Sequence, residues 1–141
     1  MGCDIHAFVE VKVDNEWLHY AEARINRNYN LFSRMADVRN DNSITPISSP
    51  RGLPKDISKM VSLHRNRWGK DGHSDSWLSY DEIYDLYLWS KSDSLIPLNL
   101  DIEHTLFGVY LFRNSLNGWK DYPEDYPEFV QDVRLVFWFD N

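Results

Sequence analysis

Residues 4–13, DIHAFVEVKV, alternate between two chemistries. Ile5, Ala7, Val9, Val11 and Val13 fall on one side, and Asp4, His6, Phe8, Glu10 and Lys12 on the other. Successive strand side chains point to opposite faces, so this period of two predicts a β-strand whose first set faces the core. DNE at 14–16 reads as a turn, and residues 17–24, WLHYAEAR, as the returning strand of a hairpin. The far end of the chain repeats the pattern over residues 132–139. There Val133, Leu135, Phe137 and Phe139 alternate with Arg134, Val136, Trp138 and the following Asp140. Apolar residues occupy both faces, which predicts a central strand.

Between these ends the period changes. In NYNLFSRMADVRN, Leu31, Met35 and Val38 share one stripe with Phe32 and Ala36 beside it, predicting a helix near 29–38. Residues 40–54, NDNSITPISSPRGLP, hold three prolines and a glycine and read as a long loop. A short helix is expected from about 56 to 65. WGKDGHSDSW reads as a second loop. SYDE at 79–82 is a capping box, with Ser79 as cap and Glu82 reaching back, opening a helix near 79–90 with Ile83, Leu86 and Tyr87 inward. Residues 100–113 also read as a helix, and YPEDYPE at 122–128 as a proline-broken acidic loop. The expectation is an α+β fold: a small antiparallel sheet, made of the N-terminal hairpin plus the C-terminal strand, covered by helices. One domain is expected over 1–141, a length that buries roughly two-thirds of the unfolded chain's surface.

Composition adds two constraints. Six Trp, eight Tyr and seven Phe are more aromatic side chains than a small core can hide, so some are expected to line a surface or pocket. The net charge of −7 argues against general nucleic-acid binding. The charge is uneven: residues 21–70 carry ten Lys/Arg against four Asp/Glu, and residues 71–141 four against fourteen. The basic middle allows a local anion site, although the two halves could also simply attract each other. The single cysteine, Cys3, fits a reducing cytoplasm. No secretory signal pattern and no apolar run of about 18 residues is present. MGC resembles an acylation start, but that pattern wants Ser or Thr where His6 stands.

Three groups of residues could carry chemistry. Asp4 and His6, two apart on one strand face, suit two ligands of a divalent ion, or a histidine held in one tautomer by a carboxylate. The plain alternative is a solvated strand face. DGHSDSW, 71–77, offers His73 with several hydroxyls and carboxylates. Its echo of a calcium loop fails at His73 and at Ser76, where glycine is needed. His73 would complete a site with Asp4 and His6, as catalytic or metal-binding residues, if the fold joins them. The third group is Arg27, Tyr29, Arg39 and Arg51: guanidinium forks suit phosphate or carboxylate, and Gly52 lets backbone approach closely. The alternative is surface arginines paired with acids. His64 and His104 sit at ordinary helix positions, and no GxGxxG, P-loop, HExxH or CxxC occurs.

The stretches MGCDIH, RNYNLF, ADVRN, PISSPRGLP, DGHSDSWLS and VRLVFWFDN together resemble a family of small phage and prophage proteins. The resemblance implies a compact cytoplasmic protein of an infected or lysogenic bacterium; it implies no catalytic residues.

Two functional readings follow. In the first, a pocket binds a phosphorylated, nucleotide-like ligand and hydrolyses or sequesters it, in phage counter-defence. Asp4, His6 and His73 would hold a divalent metal or do acid–base work, Arg27, Arg39 and Arg51 would hold phosphate, and Tyr29 or Trp77 would stack on a base. In the second, the acidic aromatic segment 119–129 docks on a host or phage protein without catalysis. A homo-oligomer is compatible with either.

Overall fold

The computed structural model describes residues 2–92 and 130–141. Four strands form one antiparallel sheet in the order β2-β1-β4-β3. They are β1, Asp4–Val13; β2, Glu16–Ala23; β3, Gly72–Ser79; and β4, Val130–Asp140. Three α-helices accompany them: α1, Tyr29–Ala36; α2, Lys59–Asn66; and α3, Tyr80–Ser92. The α+β fold with its N-terminal hairpin and C-terminal strand is therefore present, with one strand more than the sequence pattern predicts.

Local chemistry explains the joints. Asp14 and Asn15 link β1 to β2 with φ of 50° and 62°. Two successive left-handed residues are what a tight type I′ hairpin requires, and Asp and Asn tolerate them. Asn28 caps α1 by accepting from the Leu31 amide at 3.0 Å, and Ser58 caps α2. The predicted capping box of α3 forms reciprocally: the Glu82 amide donates to Ser79 Oγ at 3.3 Å, and the Ser79 amide to Glu82 Oε1 at 3.0 Å.

β4 is central, as its doubly apolar pattern predicts. Ile5, Ala7, Val9 and Val11 pair with Phe139, Phe137, Leu135 and Val133, and Leu78 of β3 pairs with Leu135 from the other side. This face packs on Leu31, Phe32 and Met35 of α1 and on Ile83 and Leu86 of α3 to form the main core.

Two expectations change. The face carrying His6, Phe8 and Glu10 reads as polar but is covered. Phe8 and Glu10 are 4% and 0% exposed, and Phe8, Val136, Trp138 and Val61 of α2 form a second core flanked by Leu53, Ile57, Trp68 and Trp77. A sheet covered on both sides needs no clean alternation, because Glu10 is neutralised inside. The second change is β3, expected as a loop. The register slips between His73 and Ser76, with Ser74 at φ 55°. This bulge breaks the alternation that would reveal a strand, while pairing with β4 imposes the extended backbone. The expected helix at 100–113 and the acidic segment 119–129 lie outside the described residues. Among the described residues no helix is long and apolar enough to cross a membrane.

Candidate functional site at the end of the sheet

β1 begins and β4 finishes at the same end of the sheet. Asp4 pairs with Asp140 and Ile5 with Phe139, and Gly72 and His73 of β3 extend those two rows. Several of the chemistry-bearing residues gather there.

His6 Nε2 lies 2.5 Å from Asp140 Oδ2. A carboxylate only accepts, so the shared proton sits on Nε2, and Nδ1 is an acceptor whenever the ring carries a single proton. The ring packs 4.1 Å from Trp68, centroid to centroid, and the His6 and Asp140 side chains keep 22% and 19% exposure. The pair is thus desolvated enough to be ordered and open enough to meet solvent.

Asp4 is not the partner of His6. Arg27 donates from Nε and Nη2 to its two oxygens, at 2.9 and 2.8 Å. This guanidinium fork holds the Asp4 carboxyl below its usual range. Arg27 also lies over the chain at Gly2, where an added Cβ would fall 2.1 Å from Nη1.

Beside it, the Cys3 amide donates to the Tyr29 hydroxyl at 3.0 Å, and the Arg39 guanidinium lies 5.4 Å from the Tyr29 ring centre. The buried Cys3 thiol is pushed up chiefly by desolvation, with Arg39 pulling it down and Asp140, Asp4 and Arg27 also acting on it. Cys3 and Tyr29 pack in the main core with Ile5 and Phe139, so Tyr29, with Arg39 over its ring, lies on the other face of the sheet from His6, which pairs with Trp138.

His73 is brought to the same end but to the other face. It pairs with Phe139, and its ring stacks 6.3 Å from that side chain, whereas His6 pairs with Trp138. Adjacent strand positions face opposite ways. The expected union of Asp4, His6 and His73 in one pocket is therefore not formed. Among the described residues no group of three or more His, Cys, Asp or Glu stands where it could hold a metal ion. His73 instead bonds Ser74 Oγ at 2.9 Å and the Asn141 side chain.

Arg51 and Trp77 form a separate cluster. Arg51 donates to both oxygens of Glu82, at 2.7 and 2.5 Å, and lies 4.7 Å from the Trp77 ring centre. It holds the Glu82 carboxyl below its ordinary value. Arg51 thus joins the 40–54 loop to the start of α3.

Residues that the sequence did not nominate include Asp140, Trp68 and a buried network. Glu10 accepts from Arg134 Nε at 2.7 Å and from the Ser58 amide at 2.7 Å, and Arg134 also donates to Asp56 at 2.8 Å. Beside this network a groove of about 380 Å³ opens between β2 and α2, lined by Glu16, Trp17, Asp56, Ser58, Lys59 and Ser62 among others. None of the residues nominated from the sequence lines it. The signal for Asp140 was available: antiparallel pairing of the two terminal strands sets the last residues of one beside the first residues of the other.

Comparison with protein-family models, with curated proteins and with solved structures finds no match for the chain. The functional reading rests on the geometry.

Proposed function

We propose that the end of the sheet binds a small phosphorylated, nucleotide-like ligand and that His6 and Asp140 serve proton transfer there. The observation that carries this reading is the ordered His6–Asp140 pair at the same end of the sheet as the Arg27–Asp4 fork, Asp4 pairing with Asp140 across β1 and β4. The Arg27 guanidinium, pre-oriented by Asp4, is suited to phosphate oxygens. Trp68, which packs against the His6 ring, offers a ring face to a base. With Asp140 accepting from Nε2–H, His6 Nδ1 is the group that takes a proton from water as it attacks phosphorus, and a protonated His6 returns it to the leaving oxygen. In a phage-infected host, such a ligand would be a nucleotide defence signal.

The test is a melting-temperature and calorimetric screen against inorganic phosphate, pyrophosphate and nucleoside mono- and diphosphates, with phosphate release measured in parallel. At least one nucleotide is expected to raise the melting temperature. Arg27→Ala is expected to weaken binding by about tenfold or more, the loss of one charge-assisted contact. His6→Gln is expected to retain binding and lose turnover. Failure of every nucleotide to bind at millimolar concentration, or full binding by Arg27→Ala, overturns the reading.

A further inference from the structure

A second group of imidazoles stands apart from the His6 site. His19 pairs with Glu10 across the β1–β2 register, so it faces the second core. His64 lies in the last turn of α2, which covers that face. Both rings pack on Phe8, at 5.8 and 4.8 Å, and their centroids are 6.2 Å apart. His19 Nε2 is buried and has no hydrogen-bond partner among the described residues. A buried ring nitrogen without a partner costs desolvation energy, and native proteins rarely leave one without a water or an ion.

We infer that His19 and His64 form a two-imidazole site for a divalent transition metal of the zinc class, bridging β2 and α2. With Zn–N bonds of about 2.0–2.1 Å at a tetrahedral angle, two imidazoles on one ion stand roughly 5 Å apart between ring centres, so the 6.2 Å pair closes by about 1 Å when the ion binds. Neutral imidazole nitrogen is a preferred ligand for such ions, and water completes the coordination. The ion takes the lone pair of an imidazole nitrogen from each ring and fastens the helix over Phe8. The site uses neither Arg27, Arg39 nor His6, so it stands or falls separately from the ligand reading.

The experiment uses the full chain, stripped with a chelator and titrated with zinc chloride. The melting temperature is expected to rise by a few degrees at saturating zinc, and the chelator is expected to reverse it. In nitrogen-15 imidazole spectra, two of the five histidines are expected to shift on zinc addition. His19→Gln and His64→Gln, which keep polar side chains in place, are each expected to weaken zinc binding by about tenfold or more, as losing one of two ligands removes well over 1.4 kcal/mol. His6→Gln is expected to bind zinc as the parent does. Unchanged spectra and melting, survival of the response in both glutamine variants, or its loss in His6→Gln each overturns the inference.

Discussion

The pairing of His6 with Asp140 separates what a single residue announces from what its neighbours decide. The sequence places a carboxylate two positions from His6 and invites their pairing. However, Asp4 meets a guanidinium with two parallel donors, the stronger partner, and His6 takes the carboxylate delivered across the strand pair. The choice rests on register, which a local motif does not contain. Glu10 makes the same point more sharply. Its position in the alternation reads as exposed, yet it is 0% exposed and holds Arg134 and the α2 cap together. Removing one member of a buried ion pair strands the other, at a typical cost of about 3–5 kcal/mol. Glu10→Ala is therefore expected to cost that much in urea denaturation, whereas Lys12→Ala, two residues along, should cost only about 0.5–1 kcal/mol, the worth of its contact with the Trp17 ring. A loss below about 1 kcal/mol for Glu10→Ala would mean that Asp56 alone satisfies Arg134.

At the scale of elements, strong local signals were legible and weak ones were not. The capping box, the α1 stripe and the hairpin turn were readable because each is settled within a few residues. β3 was not, because its bulge and its run of Ser and Asp hide the alternation and its conformation comes from β4. The joint between the 40–54 loop and α3 gives a pH prediction. Arg51 depresses Glu82 below its ordinary value, so the unfolded state takes up the proton first as pH falls. Stability from this pair is then complete above the unfolded carboxyl range, near pH 4.3, and is lost as pH falls through that value and then through the lower folded one. Glu82→Gln keeps the reach back to the Ser79 amide and removes the charge. It is expected to be less stable than the parent at pH 7 by up to about 1 kcal/mol, the usual size for a partly exposed pair, and by less than that at about pH 3. Equal stability at both pH values would show that the pair contributes nothing net.

For the whole molecule, the informative strand is the last one. VRLVFWF is apolar on both faces, and the sequence reading of a central strand follows from that. What the pattern could not convey is that the two faces serve two cores: Phe137 lies with α1 and α3, and Trp138 with Phe8 and α2. Both side chains are fully buried. Cutting either to alanine is expected to cost about 3–5 kcal/mol from lost burial and the cavity left behind. The two side chains enter different clusters on opposite faces, so the losses combine, with a coupling through their shared backbone of about 0.5–3 kcal/mol. Their sum would consume most or all of the roughly 5–15 kcal/mol by which a domain is stable. Phe137→Ala and Trp138→Ala are thus each expected to fold with a lowered urea midpoint, and the double variant to show no cooperative transition. Should Trp138→Ala cost less than about 1 kcal/mol while Phe137→Ala costs its full amount, the second core would be a loose cover. The helix bearing His64 and the Trp68 wall beside His6 would then be free to move away from the sheet. A full cost for both would make that cover as firm as the main core, and would hold the two histidine sites in the geometry on which their chemistry depends.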